Sequence, residues 1–267
     1  MELRERPNDS ITARLIDYAA HETPAWTDKR LRDIIVTLLI AGHETSVVAY
    51  AWATQYLLHN PHPRAELVAE AREARTDRYA HACNTEALRM QSPVIGTLPF
   101  PLTEDIALGG YRIPRSTMVF AAASALHHDE DLYPEPEAFR PERWFQTTPD
   151  RYGYIPFGVG VHRCPGSTFY FTEAAILLHR LFGRLDLEPC DPSVDPARFI
   201  FGVVARPRGN TRVIVRQRRN AEDVPWYRPV ENEKPSPLKQ ALLPDPPETA
   251  EPAHCPFAPD SHTSGEG

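Results

Sequence analysis

Apolar residues recur at helical spacing through much of the first ninety positions, and most runs end at a recognisable stop. Ile11, Leu15 and Ile16 share one face of a short helix predicted from about Ser10 to His21. Thr27 is placed to cap a long helix from Asp28 to about Leu58, which Asn60-Pro61 ends. Its apolar positions, including Leu31, Ile34, Ile35, Leu38, Leu39, Val47, Val48 and Trp52, go nearly all the way round, which predicts a buried central helix. At roughly 1.5 Å per residue it would be about 45 Å long. Two further helices are expected near 63–75 and 78–90, the second stopped by Ser92-Pro93.

The pattern then changes. Between 94 and 121 short apolar pieces are punctuated by Pro99, Pro101, Gly109-Gly110 and Pro114, which predicts strands joined by tight turns. Residues 129–165, dense in proline, aromatics and glycine, read as an ordered but irregular loop. A helix from about Gly166 to Phe182 and strands near 198–205 and 211–216 follow. The sum is a mainly α chain with small β-sheets, an α+β class. After Arg219 the chain turns proline-rich, and residues 221–267 are expected to be a disordered acidic tail.

Composition sharpens this. With 267 residues and 42% hydrophobic content, residues 1–220 can bury a sizeable core as one domain. The net charge is −7, and the tail holds nine acidic against three basic residues, leaving the body near −1. A near-neutral body lacks the basic face that nucleic acid demands. The four cysteines (Cys83, Cys164, Cys190, Cys255) form no CxxC pair, which argues against zinc sites and a disulfide framework and for a reduced, cytoplasmic setting. No membrane segment is expected: the best apolar run, Ile34 to Ala41, is far shorter than the roughly 20 residues a bilayer needs. The charged start, MELRERPNDS, reads as neither a signal nor a transit peptide.

The candidate chemistry centres on Cys164. It ends a glycine-rich turn, Phe157-Gly158-Val159-Gly160-Val161-His162-Arg163-Cys164-Pro165-Gly166, just before a predicted helix. A helix N-terminus and the neighbouring His162 and Arg163 would stabilise a thiolate, making Cys164 a ligand or nucleophile; a buried structural cysteine is the other reading of these residues. The pattern Phe-Gly-x-Gly-x-His-x-Cys-x-Gly resembles the haem-binding loop of cytochromes P-450. That resemblance implies the C-terminal portion of the P-450 fold, haem b as cofactor, and Cys164 as the thiolate ligand of the iron. It also implies that Phe157, Gly158 and Gly160 lie along the haem and that His162 reaches a propionate.

Three further segments carry the resemblance, in family order. Glu86-Ala-Leu-Arg89 resembles the ExxR motif and Pro141-Glu-Arg143-Trp144 the element that completes it, which implies a buried triad of Glu86, Arg89 and Arg143. Ala41-Gly42-His43-Glu44-Thr45, midway along the long helix, resembles the oxygen-activation motif. There Gly42 would leave room for dioxygen, Thr45 would engage it through its hydroxyl, and Glu44 would relay protons. In all, the resemblance covers about residues 8–218. It departs at Phe100, where many members carry an arginine that pairs with a propionate, and at the start, since the family's N-terminal half has no counterpart here. A gene fragment, a split gene or a misplaced start codon would each produce that.

The leading expectation is a monooxygenase that takes electrons from a separate ferredoxin- or flavodoxin-type donor and oxidises a small organic, apolar substrate. A catalytically incompetent haem-protein remnant and a haem-thiolate isomerase or peroxygenase are the rivals. The intact Glu44-Thr45 pair favours dioxygen chemistry over the last.

Overall fold

The computed structural model describes residues 10–22, 26–74, 76–147, 152–200, 204–220 and Val224. Four helices come first: α1 (Ile11–His21), α2 (Asp28–His59), α3 (Pro61–Glu73) and α4 (Arg78–Met90). Ser10 and Thr27 cap α1 and α2, each side-chain oxygen accepting from the backbone N–H three residues on, at 3.2 Å. Four short strands follow, β1 (Phe100–Pro101), β2 (Ile106–Leu108), β3 (Tyr111–Ile113) and β4 (Met118–Val119), then α5 (Ala123–Leu126) and α6 (Arg143–Gln146). Last come α7 (Ser167–Arg184), β5 (Leu185–Pro189), β6 (Ala197–Ile200), β7 (Val204–Pro207) and β8 (Val213–Arg218). The strands form antiparallel two-stranded ribbons, β1 with β4, β2 with β3, β5 with β8 and β6 with β7. The β2–β3 turn needs left-handed backbone at both central positions, and Gly109 and Gly110 supply it (φ 57° and 83°).

The core lies where α4 packs between α2 and α7. Ala53 and Leu57 of α2, Leu67 of α3, Ala80, Cys83 and Ala87 of α4, and Leu178 and Phe182 of α7 are all buried there. Helix α4 is buried from Ala80 to Arg89, so its polar residues need partners. Asn84 donates to the Ala80 carbonyl at 3.0 Å and Thr85 to the His81 carbonyl at 2.8 Å. The first turn of α4 is capped from a distance: Glu70 of α3 accepts from the Tyr79 and Ala80 N–H groups at 2.7 and 3.0 Å. The β6–β7 ribbon is tied to α2 by Trp52, whose indole N–H donates to the Ala205 carbonyl at 2.7 Å.

The structure corrects several expectations. Helix α2 is buried mainly in its second half, where Val48, Ala49, Trp52, Ala53, Leu57 and Leu58 enter the core, while Leu31 is the one buried position of its first half. Its first half exposes Val36, Leu38, Leu39 and Ile40, and Val47 beyond them, because nothing among the described residues covers that face. By length and composition α2 is also apolar enough to cross a membrane. Counting only an uninterrupted run missed this, since single polar positions such as Thr37 barely lower the average; its buried second half makes it a core helix of this fold. The single strand expected over 198–205 is two strands, β6 and β7, and β5 was not expected. The irregular stretch before Cys164 contains the short helix α6 and a 3-10 turn at Gly160–His162. The tail expected to be disordered lies outside the described residues apart from Val224, which is buried against α7 with its carbonyl accepting from Arg180 at 3.1 Å.

Candidate functional site

The segment from Tyr152 to Gly166 forms a compact loop leading into α7. Its backbone closes on itself: Gly158 N–H donates to the Ile155 carbonyl (3.0 Å), Arg163 N–H to Gly160 (3.1 Å) and Cys164 N–H to Phe157 (2.8 Å). Gly158 and Gly160 both adopt left-handed backbone (φ 71° and 63°), so any side chain there would strain the loop. Gly166 differs, because a Cβ there would meet the Cys164 sulfur at an ordinary 3.7 Å. The loop ends with the Cys164 thiol free and exposed at the start of α7, and His162 exposed beside it. Phe157 is half-buried, its ring 5.6 Å from Tyr170 and 5.5 Å from Phe171. The loop thus combines an exposed sulfur and two left-handed glycines with an aromatic residue, Phe157, packed on the buried Tyr170 and Phe171 of α7. That set suits a flat apolar ligand with a thiophilic metal.

The three residues expected to form a triad do come together. Arg89 and Glu86 are fully buried, with Arg89 Nη2 3.0 Å from Glu86 Oε1 and Arg89 Nε 3.1 Å from Oε2. Arg143 Nε reaches Glu86 Oε1 at 3.0 Å from the start of α6. Two more donors complete the carboxylate: the Trp144 indole N–H on Oε2 and the Arg140 backbone N–H on Oε1, each at 3.0 Å. Arg89 then spends its remaining donors on the His127 and Pro136 carbonyls at 2.8 and 2.7 Å. The acid is therefore satisfied on both oxygens, the condition under which buried charge is tolerated. Trp144 stands in the motif read from the sequence, yet its bond to Glu86 was not anticipated.

Gly42, Glu44 and Thr45 lie on α2 near the end of its uncovered stretch. Gly42 is exposed, with nothing within 4 Å of where a Cβ would stand. Glu44 and Thr45 are half-buried, and the Thr45 hydroxyl donates to the Ala41 carbonyl at 2.7 Å. Among the described residues, neither is hydrogen-bonded to the cysteine loop. The link between the two regions is made further along α2. Tyr50 stacks on Tyr170 of α7 at 5.4 Å, and its hydroxyl donates to Glu173 at 2.5 Å. Burial and the Glu173 carboxylate hold the Tyr50 phenol well above its usual pKa, so it stays protonated. Phe100 sits exposed on β1, paired with Val119.

Comparison with known proteins shows the family. The sequence model of the family described as Cytochrome P450 matches residues 1–215. The chain is similar to the putative cytochrome P450 135B1 of Mycobacterium tuberculosis (strain H37Rv), 32% identical over 213 residues, covering 78% of this chain and 45% of that protein. It is also similar to the putative cytochrome P450 137 of the same organism, 34% identical over 215 residues, covering 78% and 43%. Cyclooctatin synthase of Streptomyces melanosporofaciens is 36% identical over 177 residues, covering 61% of this chain and 38% of that protein. The chain spans less than half the length of each of these relatives.

Proposed function

The chain belongs to the cytochrome P450 family, and from that premise we propose that it forms the haem-ligating part of a haem-thiolate monooxygenase. In this reading it oxidises a small apolar organic substrate in the cytoplasm with one atom of dioxygen. Electrons come from a separate ferredoxin- or flavodoxin-type protein. The observation that carries the reading is the exposed, free Cys164 thiol at the end of a loop whose left-handed turns require glycine, with Phe157 of that loop packed on Tyr170.

The residues present fit haem b. Cys164 would hold the iron as a thiolate, Gly158 and Gly160 would keep side chains off the ring, Phe157 would lie along its thiolate side, and His162 would meet a propionate. Bound there, haem supplies the redox chemistry with dioxygen. The chain's own contribution on the other side lies on α2. The Thr45 hydroxyl donates to the Ala41 carbonyl and its lone pairs can accept a hydrogen bond; to pass on a proton it would turn its O–H away from Ala41. Glu44, half-exposed one residue earlier, would draw that proton from solvent. Gly42, without a side chain and with nothing within 4 Å of where a Cβ would stand, would leave room for dioxygen. An isomerase or peroxygenase would have no need of this proton path.

A second reading, a remnant unable to turn over, is favoured by one observation. Leu39 and Ile40 are 68% and 69% exposed on the helix that carries Glu44 and Thr45. A monooxygenase must exclude water from that side.

The test is reconstitution with haem, reduction, and addition of carbon monoxide. The chain is expected to give the red-shifted Soret band of thiolate ligation, and Cys164→Ser to lose it. A serine variant with the band intact would refute the assignment.

A further inference from the structure

Resting on the reading of Cys164 as the iron ligand, we infer that His127 is a positioning residue. Its imidazole transmits the geometry of the Glu86–Arg89–Arg143 cluster to the cysteine loop.

His127 is completely buried just after α5, while its neighbour His128 reaches solvent. Arg89 fixes the backbone of His127 by donating to its carbonyl at 2.8 Å. The ring then takes the constraint onward: Nε2 lies 2.9 Å from the backbone N–H of Ile155, at the root of the loop. An N–H can only be met by an acceptor, so Nε2 is unprotonated and the proton sits on Nδ1. Nδ1 is buried with no hydrogen-bond partner among the described residues. Leaving a buried N–H unpaired is unfavourable, and here it accompanies an acceptor held on Ile155. Burial, reinforced by the Arg89 charge, lowers the His127 pKa to about 3, so the ring stays an acceptor at any ordinary pH.

The neighbours aim the ring. Tyr154 stacks on it at 5.3 Å, with its own hydroxyl donating to the Thr85 carbonyl of α4 at 3.0 Å. Tyr133 donates to the Gly153 carbonyl at 2.8 Å. Residues 153–155 are therefore held from three sides, by Tyr133, by α4 and by His127. From Ile155 the hydrogen bonds run on through its carbonyl to Gly158 N–H, and then from the Phe157 carbonyl to Cys164 N–H. The route from the charge cluster to the sulfur is continuous, and His127 is its one side-chain acceptor.

The test pairs His127→Leu, which removes the acceptor, with His127→Gln, whose amide oxygen reaches the place of Nε2. Hydrogen exchange of the haem-free chain comes first. His127→Leu is expected to speed exchange at residues 153–158 by about tenfold, the equivalent of one lost hydrogen bond, with α4 and α7 as protected as before. His127→Gln is expected to restore protection. With haem and carbon monoxide, His127→Leu should lose part of the red-shifted thiolate band and His127→Gln should recover it. If His127→Leu does not fold, His127→Asn, too short to reach Ile155, is read in its place. Unchanged exchange, an unchanged band in the folded variant, or a glutamine no better than leucine would each overturn the inference. A Cys164→Ser chain that keeps the red-shifted band would instead remove the reading of Cys164 and leave the exchange result standing.

Discussion

Arg89→Ala is the perturbation from which the buried charge cluster predicts most. The guanidinium is wholly buried and places donors on both Glu86 oxygens and on the His127 and Pro136 carbonyls. Breaking a buried pair by removing one partner costs about 3–5 kcal/mol, because the other charge stays behind in a poorly solvating interior. Here Glu86 would not be abandoned: Arg143, Trp144 and the Arg140 N–H remain on it at 3.0 Å. The alanine variant should therefore lie near the lower end, about 3 kcal/mol. Glu86→Ala should cost more, about 5 kcal/mol, since it strands the buried Arg89 without a carboxylate and unpairs Arg143 as well. Against a total stability of about 5–15 kcal/mol, either loss is severe. Urea unfolding followed by far-ultraviolet circular dichroism reads both, and Glu86→Leu combined with Arg89→Met should recover much of the loss. An Arg89→Ala loss below about 1 kcal/mol, the value of an exposed pair, would refute the reasoning, as would the reverse order of the two variants.

Two further outcomes are expected. In a protein completed to the length of its relatives, Thr45→Ala should keep cofactor and substrate binding while diverting reducing equivalents to peroxide; unchanged coupling of electron consumption to product would remove Thr45 from the proton path. The chain alone should self-associate through the exposed face of α2, and Leu39→Glu with Ile40→Lys should shift sedimentation toward the monomer; a wild-type chain already monomeric would show that this face is covered.

Where sequence reading succeeded and failed follows from which forces act locally. Helix limits were legible because caps and stops are local: Thr27 and Asn60-Pro61 bound α2 in the structure as in the pattern. The burial of α2 was not. An all-round apolar pattern says what surface a helix would bury, and only the chain actually packed on it decides whether it does. Strand β5 was readable in hindsight from the alternation Leu185-Asp186-Leu187-Glu188, masked by its direct continuation from α7. The pair Glu86–Arg89 shows itself by its i, i+3 spacing, whereas Arg143 lies 57 residues away and entered only through resemblance. His127 left no trace, since nothing in His127-His128 tells the buried acceptor from its solvent-facing neighbour.

The two sides of the proposed haem site differ in how they are built, and that difference bears on what the chain can do. On the cysteine side, every support is internal: the charge cluster, the His127 and Tyr154 contacts, and the packing of Phe157 on α7 all come from described residues. Such a side can be set before any ligand arrives, which is what fixed ligation of a metal needs. On the α2 side, Thr45 and Glu44 are carried by a helix whose second half is locked in the core while much of its first half is exposed. In the proposed reading, proton delivery and substrate choice would both depend on what closes that half, because only a dry, shaped cavity would keep water from competing for the Thr45 hydroxyl. Ligation should therefore persist in this chain under conditions where coupled turnover does not, and the residues that choose the substrate should be sought in whatever covers Leu39 and Ile40.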